Sequence, residues 1–363
     1  MRQRSTTYFA ALDGLRAFSI LFVVFHHAAN KTGWMTHFHG WLGVDIFFVL
    51  SGFLITFLLE RERRDIGKVD LGAFYVRRAF RILPVYSVML AVYIIATYFS
   101  GDAGLWHLMK RDLPYFLTFC NEFAPSPNGY IAFGFSWTLG VEEKFYLVWP
   151  ILYFFVLTVL TSKRRRPATL AVLYLSLIAL APFRFQAARS YSGLLVGAFL
   201  ALVLTNPRTA WLRRRIHYVP AILPLALFCV GFYLIDMNRN YLFVFSWTVV
   251  FLVAHLVTTQ SWLRSFLSHP VLTWLGQRSY GMYLIHMLPL EQIQKRIHLP
   301  TPFGPIVVTV CTFAVTALIA DGVFRLIESP ARDFGKRLLA RQRSSLDSST
   351  SGQPVLAEVP SMN

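Results

Sequence analysis

The stretch FAALDGLRAFSILFVVFHHAA, residues 9–29, decides the fold class. Its length matches one helical crossing of a bilayer, which takes about 20 apolar residues. It nevertheless carries Asp13, Arg16, His26 and His27. No small-residue cleavage site follows it, so it reads as a retained span and not as a removed signal. Comparable apolar runs recur at 41–59, 82–99, 137–160, 168–183, 190–205, 217–236, 241–258, 270–289 and 303–325. Long runs without strict alternation read as helices and not as barrel strands. The expectation is an all-α, polytopic integral membrane protein with about ten transmembrane helices. The runs 168–183 and 190–205 are short enough to be tilted, broken or re-entrant.

Composition agrees. The 363 residues are 55% hydrophobic and only 15% charged, with a mean hydropathy of +0.50. A soluble domain averages about 25% charged residues. The net charge of +17 raises the question of nucleic acid. However, the basic residues cluster between apolar runs, as at Arg61–Arg64, Lys163–Arg166 and Arg213–Arg215. That is the positive-inside pattern of cytoplasmic loops, so the partner is the lipid bilayer and not nucleic acid. With a cytoplasmic N-terminus and ten spans, 26 of the 35 Lys and Arg fall inside and 9 outside, which places both termini in the cytoplasm. Cys120, Cys229 and Cys311 are far apart and show neither a disulfide framework nor metal spacing.

Residues 1–335 read as one transmembrane domain. Residues 336–363 read as a basic, then Ser-rich cytoplasmic tail without apolar period, expected to be disordered. The segment from about 100 to 136 holds Pro114, Pro125, Pro127 and Gly129, and is expected to be an outer loop serving as lid or acceptor platform.

Ionisable groups inside a span are costly and by default mark function. Arg16 and His27 are eleven residues apart, so they share one helical face about 16 Å apart along the axis. Asp13 lies on the same face and can pair with Arg16. The alternative is that Arg16 snorkels to the interface while His27 caps the helix. Asp45, at the head of the second span, needs a partner if buried. Gly43 and Gly52 beside it permit close helix approach. Glu142 and Glu143 open the fourth span; adjacent acids point to different faces, so one faces the bundle while the other meets Lys144 or solvent. As a plain alternative, acids there suit the helix dipole. Ser279-Tyr280-Gly281-Met282-Tyr283-Leu284-Ile285-His286 forms another polar stripe ending in histidine.

Together these segments resemble the acyltransferase-3 family of membrane O-acyltransferases, the type that acetylates bacterial surface glycans. The motifs are Leu12-Asp13-Gly14-Leu15-Arg16-Ala17 with His27, Gly43-Val44-Asp45 through Ser51-Gly52-Phe53, Arg77-Arg78-Ala79-Phe80-Arg81, Glu142-Glu143-Lys144-Phe145-Tyr146, and Ser279 through His286. They occur in family order across roughly residues 8 to 335. Thr138 stands where serine is common and Lys144 where glutamine is common. Some members carry a fused esterase-like domain; here acceptor handling is expected from the membrane domain or a partner.

The resemblance implies transfer of an acyl group, usually acetyl, from acyl-CoA as donor substrate, with no permanently bound cofactor and no metal. The acceptor implied is a sugar hydroxyl of a surface, exported or lipid-linked carbohydrate or glycolipid. The setting implied is the inner or plasma membrane of a bacterium, crossed many times. His27 is the expected general base, since histidine titrates near working pH. Glu142 is expected to orient it and Arg16 to act in the active site. Arg77, Arg78 and Arg81 are expected to hold the phosphates of coenzyme A, with positive-inside anchoring as their alternative. Asp13, Asp45, Ser51, Glu143, Tyr146, Tyr280 and His286 complete the polar candidates. A transporter or flippase for a glycan or small solute would also line its helices with polar stripes.

Overall fold

A computed structural model of the chain describes residues 8–29, 39–126, 133–155, 186–238, 241–297 and 303–351, with the backbone alone at 186–189 and 343–351. The expected span 168–183 and the end of 137–160 lie outside the described residues. Every regular element among the described residues is helical. Helices α1 (Ala10–Ala28), α2 (Leu42–Ile66) and α3 (Leu71–Phe99) come first. Gly67 ends α2 at φ +82°, a left-handed conformation that glycine adopts freely. Asp70 then caps α3 by accepting from Ala73 N–H at 2.9 Å. Next come α4 (Ala103–Leu117), α5 (Trp137–Leu152), α6 (Gln186–Thr205), α7 (Ala210–His217), α8 (Ile222–Met237), α9 (Leu242–Thr258) and the short α10 (Trp262–Leu267). The chain closes with α11 (Pro270–Ile285), α12 (Met287–Gln294), α13 (Phe303–Val323), a π-helical turn at Phe324–Glu328, and α14 (Ser329–Ser351).

Four of the described helices are long and apolar enough to cross a membrane: α1, α2, α3 and the continuous run Phe303–Gln342. A fifth arises if Ser190–Thr205 and Pro207–His217, bent by 83°, count as one broken span. Helices α8 and α9 are apolar but shorter. The expected run 270–289 is interrupted at His286, where α11 gives way to α12. On α3 the apolar Val88, Val92, Ile95 and Phe99 form one exposed stripe. A continuous exposed apolar face is unsuited to water and suited to lipid.

Two sequence expectations change. The segment 100–136 contains the helix α4, capped by Asp102, with Pro114 inside it. Buried Asn121 then ties the returning chain down, donating to Tyr86 Oη at 2.9 Å and to Ser136 Oγ at 2.7 Å. Buried polar pairing of this kind is invisible to proline counting. At the other end, α14 stays helical to Ser351, well into the tail expected to lack structure.

The core is built on close backbone approach. Gly276 of α11 packs against the Asp13 backbone of α1, and Gly14 packs against Leu267. Gly52 of α2 lies on the Leu194 carbonyl of α6, and Gly197 returns the contact at Val49. Small residues let helices touch where packing, not water, drives association. A methyl group at these positions meets backbone that cannot move aside. Gly276→Ala and Gly52→Ala are therefore expected to destabilise the purified protein by roughly 1–3 kcal/mol. Gly322→Ala, with nothing within 4 Å of its added methyl, is expected to leave the melting temperature unchanged or raise it. Thermal melting of the three variants in one detergent checks the order.

Candidate active site

A cavity of about 660 Å³, its open mouth included, lies between α1, α2, α3, α5 and α11. Its polar lining is Arg16, Ser51, Arg78, Arg81, Glu142, Glu143, Thr138, Tyr146, Ser279, Tyr280 and Tyr283. They come from five helices whose contributing segments lie far apart in sequence. Helical spacing explains the gathering on α2, where Val44, Phe47, Phe48 and Ser51 share one face of the cavity. On α5 both Glu142 and Glu143 line it, contrary to the expectation that adjacent acids would part.

The cavity sets three guanidinium groups against two carboxylates. Ser51 and Tyr146 both donate to Glu142 Oε1, and their hydroxyl oxygens are 3.1 Å apart. Arg78 lies over the rings of Tyr146 and Phe74, 5.2 and 5.7 Å from their centroids. Tyr280 donates to the Ile82 carbonyl at 3.0 Å. Arg16 Nε is buried and has no hydrogen-bond partner among the described residues. A buried donor left unpaired is costly, and in a cavity it is an offer to a ligand.

The histidines sit apart from this cavity. Neither His27 nor His286 lines it. They pair with each other, His286 Nε2 to His27 Nδ1 at 3.2 Å. The tautomers follow from proton counting. His286 Nδ1 faces the Tyr283 carbonyl at 2.6 Å, so that nitrogen carries the proton and Nε2 accepts. His27 Nδ1 faces both this acceptor and the Val23 carbonyl at 3.0 Å, so it donates. In the neutral pair, His27 Nε2 is left with its lone pair free to accept a proton.

Tyr283 separates the two regions. It lines the cavity, and its ring centroid lies 5.6 Å from that of His286. Its hydroxyl donates to the Phe135 carbonyl at 2.7 Å and accepts from Thr138 Oγ1 at 2.6 Å. Tyr283, Thr138 and Phe135 thus form a partition that sequence reasoning did not single out. The available signal was helical phase, since Tyr283 is three residues before His286.

Several sequence pairings are replaced. Glu142 serves Ser51 and Tyr146 and makes no bond to His27, whose ring partner is His286. Arg16 lines the cavity and His27 does not, in keeping with their expected separation of about 16 Å along α1. Asp13 accepts from Tyr8 at 2.6 Å, with no ion pair to Arg16. Arg77 points out of the cavity to Glu62 at 3.2 Å, whereas Arg78 and Arg81 line it. Asp45 is buried where α6 packs on α2, outside the cavity lining. Lys144 leaves Glu142 alone and pairs with Glu122 at 2.8 Å, also donating to the Phe119 and Gly140 carbonyls.

The sequence profile of a family described as an acyltransferase domain matches residues 9–325. The O-acetyltransferase OatA of Staphylococcus aureus strain NCTC 8325 is 28% identical over 93% of this chain and 59% of its own length. A Bacillus subtilis protein provisionally named as the peptidoglycan O-acetyltransferase YrhL is 32% identical over 92% of this chain and 56% of its own. The chain thus spans less than two thirds of these relatives. No solved structure matches it significantly.

The Lys144–Glu122 pair fixes the segment after α4 onto α5. Removing either partner strands the other, and Glu122 is nearly buried. Lys144→Met and Glu122→Gln are each expected to lower the melting temperature more than the double variant does. The coupling expected from the double-mutant cycle is about 1–3 kcal/mol.

Proposed function

Because this chain belongs to the acyltransferase-3 family of membrane proteins, we propose that it transfers an acetyl group from acetyl-CoA to a sugar hydroxyl of a cell-wall or surface glycan. The reading includes a multi-pass topology of about ten spans in a bacterial membrane with both termini cytoplasmic, following the Lys and Arg bias. The observation that carries it is the pairing of a basic, acid-balanced cavity with a separate histidine pair whose outer nitrogen is a free base. Peptidoglycan appears in the name of the Bacillus relative, and a wall sugar of that kind is the proposed acceptor.

The donor enters from the end where Arg78 and Arg81 open the cavity, and its phosphates meet their guanidinium groups as charge-assisted partners. Arg16 takes the anionic or carbonyl oxygens deeper along the donor. Glu142 fixes Ser51 and Tyr146 and balances the arginines, keeping the cavity open for a polyanion without leaving bare charge. The slender acyl arm then reaches along α1 toward His27. The acceptor hydroxyl attacks the thioester carbonyl while His27 Nε2 takes its proton. The C–S bond breaks, coenzyme A leaves as thiolate, and the acetyl ester forms on the sugar. His286 holds His27 in the tautomer that can do this.

In this reaction the Tyr283–Thr138 partition opens to pass the acyl group and otherwise keeps water from the thioester. The reading is tested by release of free coenzyme A from acetyl-CoA by purified protein with a panel of glycan acceptors. Acceptor-dependent release in the wild type, reduced at least about 100-fold in a normally inserted His27→Ala variant, is the expected result. Undiminished release in His27→Ala, or none from folded wild type with any acceptor, overturns it. Thr138→Val is expected to raise acceptor-independent hydrolysis several-fold over transfer; an unchanged ratio contradicts the partition.

A further inference from the structure

The π-helical turn Phe324–Glu328 joins α13 to α14 without breaking the helical run. Such a turn adds a residue and re-aims the side chains that follow, and it is frequent at functional sites. Here it buries Glu328, only 2% exposed, beside α3. Arg332 reaches Glu328 from the next turn at 3.5 Å. That is longer than a charge-assisted hydrogen bond, which lies at about 2.7–2.9 Å. Arg81 bears on the same carboxylate from α3, and Arg81 and Arg332 repel one another. The packing that forces them together is explicit: Gly335 of α14 abuts the Phe80 ring, and the Phe80 and Phe334 rings are 5.4 Å apart.

Arg332 is thus loosely held by Glu328, and Arg81 lies near the same carboxylate but beyond 4.0 Å of it. Arg81 has no hydrogen bond or ion pair within 4.0 Å among the described residues and lines the cavity. Arg332 is 38% exposed, at the solvent side of the same cluster. By formal charge, Arg16, Arg78, Arg81 and Arg332 face Glu142, Glu143 and Glu328, one positive charge in excess. A small dianion satisfies this arrangement, because each guanidinium can offer a planar fork of N–H donors.

We propose that Arg332, together with Arg81, forms the subsite for the phosphate monoester on the ribose of the coenzyme A donor. The inference rests on the donor assigned under Proposed function and deepens it. The donor is a long molecule with its thioester at one end and its nucleotide at the other. With the thioester deep in the cavity, the nucleotide lies at the mouth, where α14 meets α3. A monoester carries close to two negative charges near neutral pH and matches two cations. Glu328 holds Arg332 in place while the subsite is empty.

The test is calorimetric binding of free coenzyme A and of 3′-dephospho-coenzyme A to the purified full chain, which needs no turnover. The wild type is expected to bind coenzyme A at least about tenfold more tightly, the scale of one charge-assisted contact. Arg332→Gln is expected to lose that preference, binding coenzyme A about as weakly as the dephospho form. Its unchanged affinity for the dephospho form then also reports that it is folded. Arg332→Lys is expected to keep part of the preference. Equal affinity of the wild type for both ligands overturns the subsite and leaves the donor reading standing. No binding of either ligand overturns both. Equal weakening for both ligands in Arg332→Gln and Arg332→Lys assigns Arg332 to structure and also overturns the subsite.

Discussion

A charge inside an apolar bundle must be balanced by another, and this one requirement organises the molecule. Arg16, Arg78 and Arg81 are brought into a cavity walled by Phe47, Phe48, Val44, Leu139 and Ile82. Water cannot solvate them freely there, so Glu142 and Glu143 stand among them. The hydrogen bonding is incomplete: among the described residues Arg16 Nε has no hydrogen-bond partner. A fully neutralised cluster would be a structural pin. Spare positive charge with a free donor is what the proposed binding of an anionic donor requires.

Backbone proximity makes this possible. The glycines bring α11 onto α1 at Asp13 and α2 onto α1 at Ser19, so that three of the five cavity helices approach closely. The same parallel packing of α1 and α11 carries their C-terminal ends out together, where His27 meets His286. One pair of helices thus supplies both the floor of the cavity and the histidine pair beyond it. Tyr283 stands between, bonded across to α5 and its approach through Thr138 and Phe135.

Much of this was legible in the sequence. Intramembrane charge singled out Arg16, and the motif order gathered Ser51, Glu142, Tyr146 and Tyr280, all of which line the cavity. What could not be read was pairing between helices. Helical phase places Asp13 near Arg16, yet Tyr8 takes it from outside the helix. Glu142 is expected behind His27 as the third group that orients the base, yet it bonds Ser51 and Tyr146 while His27 bonds His286. Arg77, Arg78 and Arg81 look alike in sequence, but a turn of helix sends Arg77 to Glu62. Lys144 is expected beside one of the two adjacent acids, but its partner Glu122 lies in a segment that reads as loop. Arg332 had no local signal at all, since only the π turn and the Phe80 contact bring it to Arg81.

The central claim is that donor and acceptor use opposite ends of one bundle. The most direct measurement uses sealed proteoliposomes with the protein in one orientation, labelled acetyl-CoA on one face only and acceptor on the other. The account predicts free coenzyme A on the face of Arg78 and Arg81, and labelled acetyl ester on the face of His27 and His286. Coenzyme A release and ester formation confined to the same face would contradict it.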